Sequence, residues 1–204
     1  MEVIFIKSNK FLNLKNLAII CLLISLVFNI IIYKDYKYQK HFFNRYRDII
    51  ESHSINSIDD AKSDVEALNI VNSPYAKVKR LIMASREVMN TSKHIGDYSI
   101  YLDYKDKDRG YGGNYRAYKF FNQYRLVLEN WAAAIQFKDV ENQPSDEDIK
   151  NMIKDLDNIK NALIEQPEDL TMDKLNNIIK RLIEETKTED VKEFLREANI
   201  FLGK

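Results

Sequence analysis

Residues 16–33 read NLAIICLLISLVFNIIIY, eighteen uncharged positions bounded by Lys15 and Lys34. As a helix rising 1.5 Å per residue, this run covers roughly 27 Å, near the lower limit for a hydrocarbon core of about 30 Å. It is therefore read as one transmembrane helix, preceded by a short tail, residues 1–15. No small-residue pair marks a signal-peptide cleavage point after the run, and Cys21 follows Ile19 and Ile20 rather than the small residues of a lipoprotein site. An uncleaved signal anchor is the expectation.

Orientation rests on two opposed arguments. Lys7, Lys10 and Lys15 precede the span, whereas Lys34, Lys37, Lys40, Arg45 and Arg47 follow it, so counting alone leaves the C-terminal part in the cytoplasm. A short lysine-bearing tail directly before the first apolar segment is the layout of an exported protein. On that ground the soluble domain is expected outside the cytoplasm, with a cytoplasm-facing domain as the alternative. Within the span, Ala18, Cys21, Ser25 and Asn29 recur every three or four residues and share one helix face. Such a small, polar seam allows close helix approach and side-chain hydrogen bonding in lipid, so these four form a candidate association face for a homodimer. The plainer reading is that Asn29, near Lys34, sits at the interface.

Beyond the membrane, Phe42, Phe43, Tyr46, Ile49 and Ile50 continue a helical period without Gly or Pro. Residues 34–56 are read as a helical stalk, with Tyr33, Tyr36 and Tyr38 at the level of an aromatic belt. A break is expected at Ser52-His53-Ser54, followed by a short helix carrying Ile58, Ala61, Val65 and Leu68. Residues 57–204 then form a bundle, so the whole is all-α, with about five to six helices after the span. Ser73-Pro74 starts a long helix with Val78, Leu81, Ile82, Ser85, Val88 and Met89 on one side. Its end is ambiguous, since residues 97–104 are aromatic and β-branched enough for a brief extended segment. After a glycine-rich break, Ala117, Phe121, Tyr124, Leu128, Trp131 and Ile135 mark the core helix. Residues 139–145 hold the best linker, a possible sub-boundary, and Ser145 followed by Asp146, Glu147 and Asp148 caps the next helix. That helix bears Ile149, Met152, Ile153, Leu156, Ile159 and Leu163. A Thr171-capped helix with Leu175, Ile178, Ile179 and Leu182 follows, and Val191, Phe194, Leu195 and Ala198 make the last.

Five Gly, three Pro and 30% charged residues suit solvated helices better than a turn-rich β fold. Formal net charge is +0, which gives no global attraction to nucleic acid, and none is expected as a partner. The average hides an asymmetry. Positions 34–125 hold 17 basic and 12 acidic residues, and positions 126–204 hold 11 and 18. The basic part lies next to the membrane, where anionic head groups or an acidic envelope polymer are possible contacts; attraction between the two halves of one fold is the simpler account. The lone cysteine, Cys21, leaves the soluble part without disulfides or thiolate metal sites. The abundance of Ile, Lys, Asn and Tyr goes with an AT-rich bacterial genome, hence a bacterial cell envelope.

Few residues suggest chemistry. Asp103, Asp106, Asp108 and Gly110 invite a calcium reading, but the EF-hand spacing fails and Lys105, Lys107 and Arg109 neutralise the loop. Arg109, Tyr111, Tyr115, Arg116 and Lys119 mix cations with aromatics on a glycine-rich turn and form a candidate ligand or partner patch. Against that stands a plain interhelical turn, its tyrosines lining the core. His41, His53 and His94 are far apart in sequence and in no ligand spacing. No cofactor, metal site or catalytic residue is singled out. The expected function is a non-enzymatic interaction or scaffolding module with a protein partner. The alternatives are a membrane-tethered cytoplasmic regulator or sensor, and an envelope-acting enzyme with unrecognised catalytic carboxylates.

Overall fold

The computed structural model describes residues 9–105, 113–165 and 171–200, with no strand among them. The all-α class expected from the periodicity is the class observed. Six helices follow in order: α1 (Asn9–Glu66), α2 (Pro74–Lys105), α3 (Gly113–Phe137), α4 (Asp146–Ile164), α5 (Met172–Glu185) and α6 (Glu189–Glu197). Single 3₁₀ turns lie at Ala67–Asn69 and Val140–Asn142. Two compact units divide between Arg47 and Asp48.

In the first unit, Asn16–Tyr38 has a mean hydropathy of 2.5 and no buried part. Leu22 and Phe28 are 68% and 61% exposed. Twenty-three residues at this hydropathy meet the length and composition of a membrane span, and equally of a signal sequence.

The second unit begins within α1, where Ser54, Ile58, Ala61 and Val65 are buried, followed by Leu68. Their alternating four- and three-residue spacing is that of a helix packing along one seam. The break expected at Ser52-His53-Ser54 does not occur, and helix continues through to Glu66. Ser and His lower helix propensity by only a few tenths of a kcal/mol each, no Gly or Pro interrupts the run, and Ser54 faces the core.

The turn at residues 67–73 sends α2 back antiparallel to α1. Arg80 Nη1 meets Asp64 Oδ1 at 2.7 Å near the turn, and Thr91 Oγ1 reaches the Ser54 carbonyl at 3.4 Å farther from it. Pro74 opens α2, and the Ser73 carbonyl accepts its first helical bond, from Lys77 N at 3.0 Å. The buried stripe is Leu81, Ala84, Ser85, Val88, Thr91, Ser92, Ile95 and Tyr98. It shares Leu81, Ser85 and Val88 with the expected face, whereas Ile82 and Met89 are 41% and 37% exposed. Small side chains take their places in the seam because they let helix axes approach closely. Helix persists to Lys105, so the extended alternative for 97–104 is not adopted.

α3 is the central helix, packing on α2, α5 and α6. All six positions of its expected face, from Ala117 to Ile135, are buried. α4 begins with a capping box in which Ser145 Oγ accepts from Asp148 N and Asp148 Oδ2 accepts from Ser145 N. Two reciprocal ion pairs, Lys62–Asp157 at 2.8 Å and Asp59–Lys160, tie α1 to α4 in antiparallel register. Thr171 caps α5 as expected.

The α5–α6 turn is held by a carboxylate. Asp155 of α4 is buried among Ile149, Met152, Leu156 and Ile159 of its own helix face. Its Oδ1 accepts from Lys187 N at 2.7 Å, and its Oδ2 from Thr188 N at 2.9 Å and Thr188 Oγ1 at 2.7 Å. Nearby, the Thr186 hydroxyl donates to the Leu182 carbonyl and in turn receives the Tyr124 hydroxyl at 3.1 Å. Burial, then the charge of Asp155, push the Tyr124 phenol well above its ordinary value, keeping it a neutral donor.

Candidate functional site

Along its C-terminal half, α3 repeats Val127, Asn130, Trp131, Ala134 and Phe137 at helical spacing, and α6 repeats Asp190, Glu193, Phe194 and Glu197. These two faces, with Asp139 and Asn142, line an open groove of about 470 Å³. That volume lies within the range of ordinary ligand pockets, about 300–1,000 Å³. Indole Nε1 of Trp131 donates to Asp190 Oδ2 at 2.7 Å, which fixes the two walls to each other. Trp131 itself is 2% exposed, so its ring forms floor rather than rim.

Both helices end at the groove in the same way. Lys138 takes left-handed backbone at φ 58° and Asn199 at φ 52°. After α3, Asp139 N bonds the Ala134 carbonyl at 2.8 Å and Lys138 N the Ile135 carbonyl at 3.3 Å. After α6, Ile200 N bonds the Leu195 carbonyl at 3.2 Å and Asn199 N the Arg196 carbonyl at 3.0 Å. These are Schellman closures, common at helix ends and ordinarily built on glycine. Asn tolerates the conformation, whereas Lys138 carries a steric cost of order 1 kcal/mol or somewhat more. The remaining terminal carbonyls give each end a partial negative charge.

The lining is therefore electronegative over an apolar base. Asp139, Asp190, Glu193 and Glu197 contribute four carboxylates, Trp131, Phe137 and Phe194 three aromatic rings, and among the described residues no Lys, Arg or His lines the groove. Asp139 is steadied by Asn142 Nδ2 at 2.8 Å. Glu193 and Glu197 are exposed and form no ion pair among the described residues. Aromatic faces and carboxylates together attract organic cations, the rings through their quadrupoles and the acids through charge.

No family model, curated protein or solved structure matches the chain. The groove must be read from its own chemistry.

The residues singled out in the sequence lie elsewhere. Ala18, Cys21, Ser25 and Asn29 are exposed on one face of α1 in the first unit. Arg109 and Tyr111 fall outside the described residues, as does the side chain of Tyr115 in the first turn of α3. Arg116 is exposed. Lys119, half-buried, donates to the Ala198 carbonyl at 3.5 Å, a cation set at the C-terminal end of α6. Asp106, Asp108 and Gly110 are likewise outside the described residues, and the Asp103 side chain is too. His53 and His94, distant in sequence, stack with ring centroids 5.6 Å apart because the α1–α2 hairpin brings their positions opposite. Among the described residues, no group of three or more His, Cys, Asp or Glu is arranged to hold a metal ion.

The groove itself escapes sequence reading. On α6, Glu189, Asp190, Glu193 and Glu197 look like any solvated acidic face, and Trp131 like a core residue. The available signal is Phe194, an aromatic residue one position from the buried Leu195, together with Phe137 as an apolar residue at the very end of a helix.

Proposed function

We propose that this chain is a single-pass, membrane-anchored helical interaction module at the cell envelope, whose bundle offers the α3–α6 groove to a partner protein. One observation supports the anchor above all others. A 23-residue segment of α1 with a mean hydropathy of 2.5 has none of its residues buried. At roughly 25 cal/mol per Å² of apolar area, water strongly disfavours such a surface and lipid accepts it. The groove supports the interaction role, since it combines aromatic walls with polar groups that give orientation.

The bundle is proposed to face outside the cytoplasm, with the lysine-bearing tail inside. Two measurements test the proposal. Carbonate extraction of cell membranes should leave the full-length chain in the pellet; release at high pH, or a product shortened at its N-terminus, overturns the anchor. A single cysteine at position 145, made by Ser145→Cys in a Cys21→Ser background, should react in intact cells with a membrane-impermeant thiol reagent. Ser145 is exposed, so protection that ends on lysis assigns the bundle to the cytoplasm.

A further inference from the structure

We infer that the α3–α6 groove is the docking site for a basic segment of a partner protein, a Lys or Arg side chain lying against Trp131 and Phe194 between the carboxylates of Asp190 and Glu193. The inference rests on the interaction role proposed above and names the chemistry of the partner.

Charge complementarity carries it. Asp139, Asp190, Glu193 and Glu197 line the groove, and no cationic side chain does among the described residues. Lys138 directly follows Phe137, yet it does not line the groove. Lys192, the basic residue beside Glu193, is drawn away to Glu189. Asp190 is fixed in place by the Trp131 indole N–H at 2.7 Å. A cation arriving there therefore meets a carboxylate already oriented, in a groove whose lining also holds the aromatic rings of Phe194 and the exposed Phe137.

Size distinguishes the source. A groove of about 470 Å³ takes several side chains, far more than one small amine fills. It is open to solvent, and the exposed Glu193 and Glu197 stand one helical turn apart in its lining. Phe137 is 77% exposed and offers apolar area to the aliphatic stem of Lys or Arg, which buries its methylenes while the charged head reaches the acids. An extended basic segment satisfies all of these features, and a free polyamine only the charge.

The experiment uses the full-length chain in a neutral detergent. Trp131 is the chain's single tryptophan, so emission excited at the red edge, beyond the absorption of the 12 tyrosines, reports from the floor of the groove. An acetylated, amidated hexa-arginine peptide is titrated, with a hexa-glutamate peptide and spermine in parallel. A saturable change with hexa-arginine is expected, weakening as salt rises and at least ten-fold weaker in the Glu193→Gln/Glu197→Gln double variant. Both positions are exposed, and unchanged circular dichroism verifies the fold; Glu193→Gln alone serves if the double variant does not fold. No saturable change with hexa-arginine, or an equal one in the variant, overturns the inference. Spermine binding as tightly as hexa-arginine overturns the protein source. Hexa-glutamate binding as tightly overturns the charge argument. Each of these failures leaves carbonate extraction and cysteine labelling unaffected, so the tethered-module reading stands or falls separately.

Discussion

Asp155 shows how one side chain can govern a junction between elements. A buried carboxylate is costly unless it is hydrogen-bonded, and this one accepts three hydrogen bonds from the two residues that lead into α6. Burial nonetheless raises its titration above the ordinary carboxylate value of 3.8, the three hydrogen bonds acting only in part against it. Asp155→Asn replaces one acceptor oxygen with an amide that faces N–H or O–H donors in either orientation. A loss of about 1–3 kcal/mol in unfolding free energy is expected at neutral pH, measurable by urea denaturation. The pH dependence follows from the raised value. The native state holds this proton more tightly than the unfolded chain does, so the group favours folding most at acid pH. That advantage is lost as pH rises from about 3.8 through the raised native value. The deficit of Asp155→Asn relative to the wild type should therefore shrink from acid to neutral pH, and a constant deficit contradicts the account. Ser54 and Ser92 are the opposite case: their buried hydroxyls have no hydrogen-bond partner among the described residues. Alanine at either position removes an unsatisfied group and improves helix propensity. Each change should raise stability by roughly 0.5–1 kcal/mol in the same assay.

Helix ends and faces differ in how far they can be read from sequence. Ser145 illustrates the legible kind, because a cap depends on residues within one turn. Its side chain and that of Asp148 satisfy each other's backbone N–H groups. Ser145→Ala should cost about 1 kcal/mol, lowering the melting temperature by roughly 2–4 °C for a chain of this size. Groove binding should be unaffected, since neither residue lines it. The face of α3 is legible for a related reason: Phe121, Tyr124, Leu128, Trp131 and Ile135 repeat every three or four positions, and all five bury. The seam of α2 is harder. Leu81, Ser85 and Val88 of the expected face do bury, but Ile82 and Met89 give way to Ala84, Thr91 and Ser92, whose small size matters only against a neighbour the sequence does not name. The uninterrupted passage of α1 through Ser52-His53-Ser54 has the same origin, since packing of Ser54 overrides a weak local propensity. The groove is least legible of all. Trp131 and Asp190 lie 59 residues apart, and their meeting depends on how α5 and α6 fold back over α3.

At the scale of the whole molecule, the basic excess lies in positions 34–125 and the acidic excess in positions 126–204. On the proposed reading, the basic region next to the anchor would suit anionic head groups, and the acidic groove would be left to a partner of opposite charge. The arrangement requires that the apolar segment of α1 partition into lipid, and this can be probed without touching the bundle. Leu23 stands eleven residues before Lys34 and eight after Lys15, near the middle of the uncharged run. Arginine at the centre of a spanning helix costs about 2.5–3.5 kcal/mol in apparent insertion free energy, and Leu23→Arg should shift a measurable share of the chain out of the membrane fraction. Adding Ile24→Arg should deplete the membrane fraction further, since two adjacent charges cannot both reach a polar face by tilting. Bundle stability should be unchanged, because Leu23 and Ile24 are exposed and belong to the other compact unit. Unaltered membrane retention in the double variant, with the bundle still folded, places the attachment outside this helix. Loss of retention with the hexa-arginine response preserved shows the two halves of the proposal to be physically separable: lipid partitioning in the first unit, charge recognition in the second.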